Sequence, residues 1–270
     1  MKLISVTSAL LVANVALGAR FTEKRRNRAV ERGATVRPGQ SLPKIPSDGP
    51  AAQIAKQNNS ANVEYSNNWA GAVLIGTDYT SVTGTFVVPT PKEPTGASSD
   101  TQYSASAWVG IDGNTAQNSI LQTGVDFYVE DGQTSFDAWY EWYPESAYTF
   151  SGFGISAGDT IKLTITATSL TSGTALIENE SSGKSVSHSF SSEEYALEEL
   201  NAEWIVEDYE SNFGQVPLAN FGTVIFTDTK AISGSSSVGP SGATLIDLEQ
   251  NGEVLTSVSV SGDEVIIKYI

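Results

Sequence analysis

The chain has 270 residues, 40% of them hydrophobic, with one His, no Cys and a formal net charge of −16. This composition excludes thiol chemistry, disulfide support and His/Cys metal centres, and so acidic a surface repels nucleic acid and anionic membranes. The charge is uneven: residues 1–60 hold ten Lys/Arg against three Asp/Glu, and the remainder holds five against twenty-eight.

Met1–Ala19 has an early lysine, a short apolar run broken by Asn14, and small residues at its end. It reads as a secretory signal peptide, so a secreted, extracellular protein is expected; no later stretch is apolar enough to span a bilayer. Residues 20–60 are basic, rich in Pro and Gln, and show no hydrophobic period. Lying before an acidic domain at 61–270, they read as a propeptide that acts as an intramolecular inhibitor. Charge attraction would hold it in place, acid would release it, and processing is expected between Lys56 and Glu64.

Beyond Val63 the pattern is strand and turn. Val82, Gly84, Phe86 and Val88 alternate with polar residues, and Ile161, Leu163, Ile165 and Ala167 alternate with Thr160, Lys162, Thr164 and Thr166. Strands are also expected over Ser106–Asp112, Ser119–Val129, Ser135–Tyr143 and Ala202–Glu210. Residues 152–158, 181–183 and 233–242 read as loops. Asn251-Gly252 and Ser261-Gly262 read as hairpin turns. Ser192–Leu200 has a capping-like start and is expected to form a short helix. Asn179-Glu180-Ser181 is a glycosylation sequon expected on a loop. His188, in step with Val186 and Phe190, reads as a packed strand residue, and the acidic run from Glu193 to Glu199 as solvated surface. The implied fold is all-β, an antiparallel two-sheet β-sandwich of the concanavalin-like or jelly-roll type.

Successive strand side chains point to opposite faces. Leu121, Thr123, Val125, Phe127 and Val129 therefore share one face and leave Gln122 and Asp126 on the other. Glu203, Ile205 and Glu207 oppose Trp204 and Val206. Trp108 and Asp112 oppose Ala107, Val109 and Ile111, while Asp137, Trp139, Glu141 and Tyr143 oppose Phe136, Ala138, Tyr140 and Trp142. Four strands thus set carboxylates, an amide and indoles on one open side. That side reads as a groove rather than ordinary exposed surface.

The segments SNNWAGAV (66–73), AWVGIDG (107–113), ILQTGVDF (120–127), DAWYEWYP (137–144) and NAEWIVEDYE (201–210) resemble the G1 glutamic peptidases, or eqolisins, which are secreted acid endopeptidases. The resemblance runs from about Ser66 to the end of the chain. It implies a sandwich of two roughly seven-stranded sheets and a catalytic pair at Gln122 and Glu207. Glu203 matches a non-catalytic Glu, and Trp69, Trp108, Asp112, Asp137 and Glu141 match groove-lining residues. Known members carry disulfides, and this chain has no Cys.

Amide hydrolysis needs a base for water, a donor for the oxyanion and an acid for the leaving nitrogen. Glu207 suits the first and last tasks and Gln122 the second, with no cofactor or metal. The two are expected on neighbouring strands, sharing one water. Asp112 and Glu141, by charge, and Trp69 and Trp108, by desolvation, are expected to raise the pKa of Glu207. The alternatives are a glycoside hydrolase using Glu141 and Glu207, which leaves Gln122 idle, and a carbohydrate-binding module, which leaves the propeptide unexplained. Expected partners are protein or peptide substrates and the chain's own propeptide, on a monomer.

Overall fold

The structure is a computed structural model that describes residues 35–57, 63–98, 100–211 and 214–270. The expected signal peptide, residues 20–34 of the basic segment, and positions 58–62, where processing is expected, lie outside the described residues.

Two sheets pack face to face. The ten-stranded sheet runs in the order β1 (Thr35–Val36), β9 (Tyr148–Thr149), β8 (Gln133–Tyr143), β7 (Ile120–Glu130), β6 (Tyr103–Ile111), β13 (Asn201–Glu207), β4 (Trp69–Ile75), β18 (Thr244–Gln250) and β19 (Glu253–Val254). β3 (Val63–Ser66) adds to it by pairing parallel with β18. The eight-stranded sheet runs β12 (Lys184–Phe190), β11 (Ser172–Asn179), β10 (Thr160–Ser169), β5 (Tyr79–Val87), β16 (Thr223–Ser233), β21 (Glu264–Tyr269) and β20 (Thr256–Ser261), with β17 (Ser236–Val238) folded back on β16. A small third sheet joins β15 (Gly214–Gln215), β14 (Glu210–Ser211) and β2 (Gly39–Gln40), and α1 spans Pro50–Gln57. The larger strand counts than the family resemblance implies come in part from two-residue strands such as β1 and β9.

Alternation builds the core. Along β10 the apolar side chains of Ile161, Leu163, Ile165 and Ala167 are buried and the intervening Thr and Lys are half-buried. Each such burial contributes about 1.5–3 kcal/mol for a large side chain. Phe86 meets Phe226 at 5.3 Å and Phe127 at 6.2 Å between the sheets. Trp204 crosses the interface and donates its indole N–H to the Thr83 carbonyl at 2.8 Å.

β6 and β13 are buried along their whole length, and β7 at every residue but the last, on both faces. Their outer face carries a second apolar cluster of Trp69, Val73, Trp108, Ile120, Trp139, Ile205 and Ile246. The side expected to be open is therefore covered, and the cover is the N-terminal segment.

Three smaller expectations are corrected. Ser192–Leu200 forms no helix; the N–H groups of Glu198, Glu199 and Leu200 are taken by the Asp112 carboxylate, which outcompetes local helical bonds. Asn179 ends β11 rather than lying on a loop, is 1% exposed, and donates its amide to Asp159 at 2.9 Å. It is thus unavailable to a glycan in this fold. Residues 233–242 include β17, so part of the expected loop is a hairpin. Asn251-Gly252, both at positive φ, does turn the chain between the paired residues Gln250 and Glu253.

Candidate active site

Register places the site residues in rows across the large sheet. One row reads Glu141, Gln122, Gly110 and Glu203, on β8, β7, β6 and β13. Two residues along on the same face come Trp139, Gly124, Trp108 and Ile205, and then Asp137, Asp126, Ser106 and Glu207. Gln122 and Glu207 are therefore not on neighbouring strands: β6 lies between them, and they are offset by two rows. No direct hydrogen bond joins them among the described residues: Gln122 bonds Glu141, and Glu207 bonds Leu42, Asn68 and Trp108.

The cover makes the connection explicit. Residues 35–57 cross the face as a strap, with β1 paired to β9 and β2 paired antiparallel to β14. Gly39 lies so close to the Tyr209 ring that a Cβ there would sit 2.3 Å from it. The Ser41 N–H donates to Glu141 Oε2 at 3.2 Å, and the next amide, Leu42 N–H, donates to Glu207 Oε1 at 3.0 Å. Gln122 Nε2 donates to the same Glu141 oxygen at 3.1 Å. Two consecutive strap amides thus tie Gln122, Glu141 and Glu207 into one hydrogen-bonded set. Trp69 Nε1 donates to the Leu42 carbonyl at 2.9 Å, and Trp108 Nε1 donates to Glu207 Oε2 at 2.9 Å.

Charge and main-chain bonds hold the strap. Arg37, fully buried, forms a bidentate pair with Asp126 at 2.6 and 2.8 Å, lies 3.9 Å from Glu141, and stacks over Trp139 and Tyr209 at 4.0 and 4.5 Å. Burial is the largest single influence and opposes its charge, but Asp126, Tyr209 and Glu141 together outweigh it and its pKa rises. Lys44 pairs with Glu64. Further along, the Glu249 carboxylate accepts the Ser47 hydroxyl and the N–H groups of Ala51 and Ala52 at the start of α1. In the described part, this basic segment is held by three ion pairs, Arg37 with Asp126 and with Glu141 and Lys44 with Glu64, plus a ladder of main-chain bonds.

Burial dominates the titration of the site. Glu207 is pushed up to about 7 by desolvation, against the N–H of Leu42, the Ser41 hydroxyl, Arg37 and the Trp108 indole. Glu141 is pushed up to about 8, by desolvation first, with Arg37 opposing and Glu207 adding. The expectation that Trp108 raises the pKa of Glu207 is half right: its bulk helps exclude water, but its N–H favours the ionised form.

Trp69, Trp108, Gln122, Glu141 and Glu207 converge beneath the strap. Asp137 sits at the exposed rim, beside a depression lined by Thr35, Val36, Pro38, Thr149 and Phe150. Burial and the charge of Asp126 raise its pKa. Asp112 is corrected: it is fully buried and spends both oxygens on the N–H groups of residues 198–201, so it staples a loop rather than lining the groove. His188 stacks on Tyr140 at 4.0 Å, as a packed residue would. Sequence reasoning missed Asn68, Asp126 and Tyr209, although Asp126 lies on the same strand face as Gln122.

Comparison with known proteins agrees with this architecture. The model of the Peptidase A4 family matches residues 67–269. The chain is 52% identical to aspergillopepsin-2 of Aspergillus niger over the full length of both. Its fold is similar to that of scytalido-glutamic peptidase solved with a transition state analog inhibitor (TM-score 0.69, 45% identity, 76% of this chain and 98% of that one). It is also similar to SCP-B, an eqolisin solved in complex with the tripeptide Ala-Ile-His (TM-score 0.66, 42% identity, 76% and 98%).

Proposed function

Because this chain belongs to the Peptidase A4 family and is a glutamic-type endopeptidase, we propose that Glu207 and Gln122 carry its reaction and that residues 20–60 form a propeptide holding the groove shut. Glu207 takes a proton from water as the water oxygen attacks the scissile carbonyl carbon. The Gln122 side-chain N–H not held by Glu141 donates to the oxygen that gains charge, and Glu207 then hands its proton to the departing amine. Family membership displaces the glycosidase and carbohydrate-module alternatives, neither of which uses Gln122.

The observation that carries this reading is the Leu42 amide on Glu207 beside the Ser41 amide on the Glu141–Gln122 pair. An extended peptide here engages Glu207, and the Glu141 partner of Gln122, through its main chain, at the Glu207 oxygen that would have to accept a proton from water. The eqolisin SCP-B, solved in complex with the tripeptide Ala-Ile-His, supports a peptide as the occupant. Removing the strap readmits water, which lowers the pKa of Glu207 towards the acid range where it must ionise to act as base. The family match beginning at residue 67 supports a catalytic domain starting near 61. The leader-like residues 1–19 support secretion, and the acidic surface supports a monomer that binds neither nucleic acid nor membrane.

The test is digestion of a denatured protein at about pH 3 by the wild type, Glu207→Gln and Gln122→Ala. Loss of the oxyanion donor lowers kcat by about a hundredfold or more; loss of the base lowers it at least as much. Full activity in either folded variant rejects the dyad.

A further inference from the structure

Asn68 stands between the carboxylate and the peptide, and no role above uses it. It sits at the junction of β3 and β4, where Ser66 Oγ accepts the N–H groups of Asn68 and Trp69 at 3.2 and 3.1 Å. This turn aims the Asn68 side chain, 2% exposed, under the strap. Its Nδ2 lies 3.3 Å from Glu207 Oε1, 3.2 Å from the Pro43 carbonyl and 3.4 Å from the Leu42 carbonyl. Its Oδ1 accepts the Ile45 N–H at 2.8 Å and the Ser66 hydroxyl at 2.9 Å. A backbone N–H only donates and a carbonyl only accepts, so the amide's orientation is forced from both ends. On the far side, the Asn68 carbonyl accepts the N–H of Asp208, the residue following Glu207, at 2.9 Å.

We propose that Asn68 is a positioning residue that ties Glu207 Oε1 to the main chain of a bound peptide. The inference rests on the reading of Glu207 as the base and on the strap tracing the path of a substrate. Every strap atom that Asn68 touches is main chain, so it grips a peptide whatever its side chains, as an endopeptidase requires. With the strap gone, Leu42 N–H no longer fills Oε1. Asn68 on that oxygen and Trp108 on the other are then the donors that fix the carboxylate and favour its ionised form. The charged groups around Glu207 are Arg37 on the strap, Glu141 on β8 and the adjoining Asp208; among these donors Asn68 alone contacts the peptide's carbonyls and N–H together with Glu207.

The experiment uses the processed enzyme, a synthetic peptide of residues 39–47, and the same peptide N-methylated at Ile45. Asn68→Ala is expected to lower kcat/KM by about ten- to a hundredfold and to weaken the unmodified peptide by about tenfold. It also moves the acid limb of kcat/KM to higher pH. Asn68→Asp, a donor only while protonated, approaches wild type at about pH 3 and falls to the Asn68→Ala level as it ionises. N-methylation weakens binding to wild type by about tenfold and leaves binding to Asn68→Ala unchanged; the wild-type arm needs no protein variant and holds even if the variants misfold. Overturning results are wild-type peptide affinity or an unmoved acid limb in folded Asn68→Ala, an Asn68→Asp profile that follows Asn68→Ala at every pH, or indifference of the wild type to N-methylation. An active Glu207→Gln would instead strike the dyad, while the peptide affinities would still report on Asn68.

Discussion

Replacing Arg37 by Ala removes the one strap side chain that reaches Asp126, and its cost follows from what Asp126 would then lack. In the structure Asp126 is fully buried and accepts both prongs of the guanidinium, with the Tyr128 hydroxyl as a third donor at 3.0 Å. Docking a strap that carries Arg37→Ala still drives water from that carboxylate but returns no cation. Losing one partner of a buried ion pair costs about 3–5 kcal/mol, or about two to three and a half decades in affinity. The contact of the guanidinium with Trp139 and Tyr209 adds to this in the same direction. The assay is inhibition of the processed enzyme by the peptide of residues 35–57 and by its Arg37→Ala form at about pH 5. The Arg37→Ala peptide is expected to be at least about a hundredfold weaker. Equal inhibition by both peptides would show that main-chain bonds alone hold the strap.

Burial raises the folded pKa of Glu203 well above its ordinary value, of Asp208 to about 8 and of Asp247 to about 6. Groups raised on folding stabilise the protein below their unfolded pKa of about 4, and that contribution is lost as pH climbs through the folded values. The melting temperature of the full chain should therefore fall from about pH 4 to about pH 8; a flat profile would refute this. Glu203→Met, which removes a buried carboxyl with neither oxygen hydrogen-bonded, should recover about 1–3 kcal/mol near neutrality, read by chemical denaturation. Asp112→Ala should cost about 2–4 kcal/mol by stranding the N–H groups of residues 198–201, with faster hydrogen exchange confined to that loop. Glu249→Gln should weaken docking of the strap helix without changing kcat of the processed enzyme, measured with the 35–57 peptide and a peptide substrate.

The long strands were legible because period-two alternation reports which side of a sheet meets the core, and β7, β8 and β13 keep that two-residue period in register with their neighbours although Ile120, Trp139 and Ile205 are apolar on the outer face. Gln122, Glu141 and Glu207 could be put on one face for the same reason. Their register could not be read: alternation fixes the face but not the row, so the strand between Gln122 and Glu207 was invisible. The covered groove was hidden differently. Residues 35–57 show no hydrophobic period because they bind largely through backbone groups and polar side chains, among them Arg37, Lys44 and Ser47, and nothing in the sequence separates Arg37 from its basic neighbours. The helix expected at 192–200 failed because Asp112, some ninety residues away in sequence, supplies an acceptor that local capping patterns cannot anticipate. Asn68 had the same disadvantage, since a lone Asn before a strand reads as turn chemistry until its partners are seen.

The most direct measurement is made on purified precursor, wild type and Glu207→Gln, shifted from neutral to about pH 3, with strap release and peptide-bond hydrolysis followed together. Wild type is expected to shed residues preceding the domain and become active. Glu207→Gln should keep its strap, and should stay at least about a thousandfold less active after the strap is removed by a second protease. A Glu207→Gln enzyme that is stripped, folded and within about tenfold of wild type would mean that the carboxylate beneath Leu42 is not the base.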